Sequence, residues 1–78
     1  MDVAQTIEQA REELKQGRGK EAARLLTDAA YQTKDPALER QIVRLAEEGR
    51  AMAGPFGRGR WKEIIRVAEQ RANGNGQA

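Results

Sequence analysis

The side chains of this chain that could take part in binding chemistry are concentrated between Arg50 and Lys62. This segment contains four basic residues and no acidic one, and residues 54–62 interleave glycine, arginine and two aromatic side chains. Arginine binds phosphates and carboxylates through paired hydrogen bonds, and aromatic rings stack on nucleic-acid bases. The candidate partner-binding residues are therefore Arg50, Phe56, Arg58, Arg60, Trp61 and Lys62.

An ordinary structural role also explains this segment. Residues 51–59 contain three glycines and one proline, a composition that favours a loop. Trp61 would then anchor the following helix in the core with Ile65, instead of lying exposed on a partner surface, and Phe56 would cover the open end of the bundle. Basic residues in the first turn of a helix oppose the helix dipole, and a bound phosphate or acidic partner would relieve that conflict.

The rest of the composition gives no support to an enzyme. The chain contains no cysteine, histidine or serine, which excludes zinc sites built on Cys or His and nucleophile pairs such as Ser-His. The acidic pairs at residues 12–13 and 47–48 are adjacent on predicted helices, so their side chains point about 100° apart and cannot converge on one atom. We expect no catalytic residue, no metal site and no cofactor.

Hydrophobic periodicity predicts an all-α chain. Val3, Ile7, Ala10 and Leu14 form one helical stripe, and Asp2 is placed to cap that helix. Gly17 is placed to end it. No stretch of alternating β-branched or aromatic residues indicates a strand. The predicted helices cover residues 3–16, 20–32, 36–50 and 60–72.

Two segments of the chain echo each other. The eight residues from Gly17 and the eight from Gly59 share five identical positions, and residues 7–13 resemble residues 42–48 at a shift of 35. A period near 35 residues is typical of stacked helical hairpins.

Five positions of the first hairpin form a pattern. Gly17 lies in the turn, Ala22 and Ala29 are small residues on the second helix, Leu26 is a large apolar residue between them, and Pro36 closes the unit. In these positions the first hairpin resembles the tetratricopeptide repeat. The second hairpin departs from the pattern at Ile64 and Arg71, where the family has small residues, and residues 51–59 form an extra loop.

The resemblance implies a fold of two antiparallel hairpins and peptide or protein binding in a groove lined mainly by the first helix of each hairpin. Repeat arrays bury their apolar faces against neighbouring units, so two units alone leave apolar edges open. Dimerisation or a stable partner would cover those edges.

These observations predict one helical domain over residues 1–72, with hairpins at about 3–33 and 36–72 and a disordered tail at 73–78. The net charge is −2 over residues 1–48 and +4 over residues 49–78. We therefore expect a small protein–protein interaction module, an adaptor or a subunit of a larger complex, that contacts an acidic partner through residues 50–62. The alternative is a small RNA- or DNA-associated protein that uses the same segment. The absence of a long apolar run predicts no membrane span and a cytoplasmic location.

Overall fold

Two helical hairpins follow one another along the chain. A computed structural model describes residues 2–54 and 57–76, with side chains described as far as Arg71. This part of the chain forms α1 (Val3–Lys15), α2 (Gly19–Gln32), α3 (Pro36–Met52) and α4 (Arg58–Gly76), and it contains no strand. The predicted all-α class is confirmed.

Three helix ends, two of α1 and one of α3, are marked in the sequence by capping residues. The backbone N–H of Ala4 donates to the Asp2 carboxylate at 3.2 Å, and that of Ala37 donates to Asp35 at 2.9 Å. Pro36 occupies the first turn of α3, where its missing N–H costs no helical hydrogen bond. The turn after α1 needs a glycine, because Gly17 has a φ of 79°, which side chains disfavour.

The second hairpin departs from the predicted boundaries. Helix α3 continues to Met52 and α4 begins at Arg58, so the predicted loop at 51–59 is shorter than expected. Helix α4 also continues through residues 73–76, where the sequence indicates a disordered tail. Asparagine and glycine lower helix propensity by about 1 kcal/mol or less each, and neither removes a hydrogen-bond donor as proline would. Residues 77–78 lie outside the described part of the chain.

The core between the helices combines small alanines with larger apolar side chains. Alanines on α1 and α2 allow their backbones to approach closely, and larger side chains fill the remaining space. The predicted core residues Val3 and Leu38 are only partly buried and pack at its edge. The buried apolar residues are Ile7, Ala10, Leu14, Ala22, Ala23, Leu26, Ala29, Ala30, Ile42, Leu45, Ala46, Trp61, Ile64, Val67 and Ala68.

The two hairpins stack side by side and do not close into a ring. Helix α1 packs on α2, and α3 packs on α4. Helix α2 contacts both helices of the second hairpin, whereas α1 contacts α3 and does not reach α4. One face of the second hairpin is therefore covered by the first hairpin, and no described helix covers its other face.

The closest approach in the second hairpin is between Gly49 and Trp61. A methyl group added at Gly49 would lie 2.6 Å from Cζ2 of the indole, far inside van der Waals contact. By composition alone, Gly49 should weaken the last turn of α3. The helix instead continues past it, and the N–H of Ala53 donates to the Gly49 carbonyl at 2.9 Å. Glycine is present here because the indole occupies the space of a side chain.

We expect Gly49→Ala to destabilise the protein by about 1–3 kcal/mol, because overpacking forces α3 and α4 apart. This loss should exceed the gain of about 1 kcal/mol in helix propensity. Gly59→Ala is the matched control, since Gly59 is also helical and an added methyl group there meets nothing within 4 Å. Urea unfolding followed by circular dichroism measures both variants. Equal stability of the two variants would contradict the packing argument.

Candidate docking groove

A groove runs between α3 and α4 on the face of the second hairpin that no described helix covers. It consists of two adjoining cavities of about 500 and 610 Å³, and Glu47 and Glu69 line both. Val43 and Ile65 are half-buried in its floor. We call this surface the α3–α4 groove. Its exposed charged walls are formed by Arg40, Arg44, Glu47, Arg50, Arg58 and Glu69.

The structure divides the predicted basic segment between two sides of the molecule. Arg50 and Arg58 lie together at one end of the α3–α4 groove. Arg60 instead lines a separate cavity of about 360 Å³ with Lys20, near the first turns of α2 and α4. Lys62 is exposed on α4, and Phe56 lies outside the described residues. Arg58 and Arg60 separate because two residues along a helix correspond to a rotation of about 200°.

Trp61 must be removed from the set of contact residues. Its side chain is only 4% exposed and packs on Gly49 in the core. A residue buried to this extent offers almost no surface to a partner. The core-anchor interpretation of Trp61 therefore applies.

Glu39 is the residue of the groove that the sequence argument missed. Its side chain is fully buried, and neither carboxylate oxygen has a hydrogen-bond partner. The other two buried polar residues that the structure describes, Thr6 and Thr33, both form hydrogen bonds through their hydroxyl groups. The position of Glu39 relative to the apolar residues of α3 could have indicated its burial, because residues 39, 42, 46 and 49 form one buried stripe of that helix.

Burial raises the pKa of the Glu39 carboxyl above its ordinary value of 4.5. The positive charge of Arg71 partly opposes this increase, and the negative charge of Asp35 adds to it. Arg71 forms no ion pair with Glu39 in the structure. Its guanidinium lies over the ring of Tyr31 instead, with Cζ 5.8 Å from the ring centroid.

The ion pairs of the described residues lie elsewhere. Four of the five join residues three apart on one helix, such as Arg11 with Glu8 and Arg24 with Glu21, and they are largely exposed. Exposed ion pairs of this kind contribute little to stability, because solvent screens them. They support the helix surfaces, and none of those found among the described residues includes an arginine of the groove.

A second groove lies between α1 and α3, the position that the tetratricopeptide resemblance implies for a bound peptide. It has a volume of about 420 Å³, and Leu14 and Leu45 are buried beside it. Met52, at its edge, is 61% exposed. Arg11 and Lys15 in its wall are already paired with glutamates of α1, which leaves this groove with less unpaired charge.

No cluster of three or more metal-binding side chains occurs among the described residues. Within the same part of the chain, no helix is long and apolar enough to cross a membrane. Comparisons with protein-family models, with curated proteins and with solved structures found no match.

We expect Glu39→Gln to raise the stability of the monomeric chain at neutral pH, because the neutral amide keeps the shape of the side chain and removes the cost of a buried charge. Because the pKa of Glu39 is raised in the folded chain, protonation of its carboxyl group stabilises the fold. This stabilisation is complete at pH values below the pKa that Glu39 has in the unfolded chain. It is lost as the pH rises through the pKa that Glu39 has in the folded chain. The variant should therefore match the parent chain near pH 4 and exceed it near pH 7.

Thermal unfolding followed by circular dichroism at both pH values checks this expectation. The melting temperature should rise by about 4–8 °C for each kcal/mol in a domain of this size. Glu69→Gln is the matched control, since Glu69 lines the same cavity but is exposed. An equal gain in the two variants, or a gain of Glu39→Gln that is already complete near pH 4, would contradict the burial of Glu39 as the cause.

Proposed function

We propose that this chain is a protein–protein interaction module, and that the α3–α4 groove receives a helix of a partner protein. The observation that carries this proposal is the uncovered face of the second hairpin, where Val43 and Ile65 are half-buried between charged walls. Half-buried apolar side chains become fully buried when a helix packs against them, which is a favourable transfer from water.

The stacking of the hairpins supports this choice of surface. In arrays of helical hairpins, each unit packs only against its neighbours, and a terminal unit needs a polar cap to remain soluble. The outer face of α3 and α4 is the place where a following hairpin would pack. An amphipathic helix from another protein would bury the same floor in the same manner.

The charges of the groove favour an acidic partner. Its walls contain four arginines, Arg40, Arg44, Arg50 and Arg58, against the exposed carboxylates of Glu47 and Glu69. None of these four arginines forms an ion pair with a described residue, so no existing ion pair of this chain has to break when a partner helix docks. Complementary charge speeds association and selects among partners more than it adds affinity.

Site-specific photocrosslinking in the cells that make the protein tests the proposal. With a benzoylphenylalanine in place of Ile65, we expect a discrete adduct that protease digests and nuclease does not, because Ile65 lies in the floor of the groove. The same photoreactive residue in place of Gln9, which is exposed on α1, should give no such adduct.

Charge reversal provides a matched pair of variants. Arg58→Glu should lower the yield of the Ile65 adduct several-fold, because Arg58 lines the groove, whereas Arg60→Glu should leave it unchanged. An adduct that nuclease digests would favour the alternative of a nucleic-acid-associated protein. The absence of any adduct at residue 65 would refute docking in the groove.

A further inference from the structure

Glu39 and Arg71 lie at the same level of the second hairpin. The contact between Gly49 and Trp61 fixes the register of the two antiparallel helices. Glu39 precedes Gly49 by ten residues on the buried stripe of α3. Arg71 follows Trp61 by ten residues on α4, three positions after the buried Ala68. Because ten residues span about 15 Å along either helix, the two side chains start from opposite sides of the same level of the interface.

The structure nevertheless keeps this acid and this base apart. The guanidinium of Arg71 lies over the ring of Tyr31 on α2, with Cζ 5.8 Å from the ring centroid. The carboxyl group of Glu39 is fully buried, and neither of its oxygens accepts a hydrogen bond. Burial of this kind suits a protonated carboxyl group, because it disfavours the charged form. The same arrangement is costly for the ionised form, which would be buried without a partner while a cation lies on the neighbouring ring.

Arg71 is the cation best placed for Glu39 among the groups around it. Its positive charge lowers the pKa of Glu39, whereas the negative charge of Asp35, just before α3, raises it. Helix α2 contributes the phenol of Tyr31, and a phenol is uncharged at acidic and neutral pH. The remaining charged side chains either line the cavity beside Glu39 in contact with solvent or lie on α1 beside the C-terminal half of α3. They are Arg40, Arg44, Glu47 and Glu69 in the cavity, and Arg11 and Lys15 on α1.

We propose that Arg71 is a switch with two positions: it lies over the Tyr31 ring while the Glu39 carboxyl group is protonated, and it turns to pair with the Glu39 carboxylate once the proton has left for solvent. Stacking on an exposed ring is a weak interaction, and an unpaired buried carboxylate is a large cost, so ionisation of Glu39 decides the position. Arginine suits both positions, because its planar guanidinium stacks on aromatic faces and also forms paired hydrogen bonds to a carboxylate.

The switch changes what the chain presents at the ends of α2 and α4. Tyr31 is 53% exposed even with Arg71 over its ring, and the departure of Arg71 uncovers that face of the ring. At low pH the surface therefore carries an aromatic ring capped by a cation, and at higher pH it carries a bare ring. At the same time, the attachment of this part of α4 moves from α2 to α3. The switch is independent of any partner, because all three side chains belong to this chain.

A pH titration of the full chain, followed by nuclear magnetic resonance with labelled glutamate and arginine side chains, tests the proposal. The ring of Tyr31 should shift the side-chain protons of Arg71 at low pH. This ring-current shift should disappear with the same midpoint at which the Glu39 carboxyl carbon titrates. In Glu39→Gln the shift should persist from about pH 3 to pH 8, because no carboxylate forms at residue 39. A ring-current shift that is unchanged through the titration of Glu39, or that disappears equally in Glu39→Gln, overturns the proposal.

Two variants should move the pKa of Glu39 in opposite directions. Arg71→Gln should raise it, because the ionised carboxylate loses its partner, and Tyr31→Leu should lower it, because Arg71 no longer has a competing position. Arg40→Gln is the matched control: it removes an equal charge from an exposed position of the cavity that Glu39 lines and should leave the pKa unchanged. Circular dichroism verifies that each variant is folded. An unchanged pKa in Arg71→Gln or in Tyr31→Leu, or an equal rise in Arg40→Gln, overturns the proposal.

Discussion

The indole of Trp61 rests directly on the backbone of Gly49, and the geometry of the second hairpin follows from that contact. Because no side chain separates the two helices there, α3 and α4 approach closely at this end. The rest of their packing, in which Ile42, Ile64 and Ala68 belong to one buried core, depends on that separation. The contact also sets the width of the α3–α4 groove, since the residues of its walls lie on the same two helices.

Alanine residues allow a similarly close approach between the two hairpins. Helix α2 contacts each of the other three helices, and its alanines Ala22, Ala23, Ala29 and Ala30 are almost entirely buried. Small side chains let a central helix be enclosed without a large core, as a chain of 78 residues requires. Because α2 and α3 lie between them, α1 and α4 stay apart, and no described helix covers the outer face of the second hairpin.

Local signals in the sequence are sufficient to predict the helices and insufficient to predict the α3–α4 groove. Asp2, Gly17 and Asp35 act within a few residues of their own positions, so the helices and their caps could be predicted. Gly49 could not be interpreted correctly, because its cause is a side chain 12 positions away. Glu39 was missed because a charged residue on an apolar stripe is rarely buried, and Arg58 and Arg60 were grouped because they are close in the chain although they face different sides.

The position of Trp61 also gives the molecule an optical property. It is the only tryptophan of the chain, and it lies at the interface of α3 and α4. Its fluorescence emission therefore arises from one place, and it responds to water entering that interface, whereas fraying of α1 leaves it unchanged. The unlabelled protein therefore carries a built-in reporter of whether the second hairpin is closed.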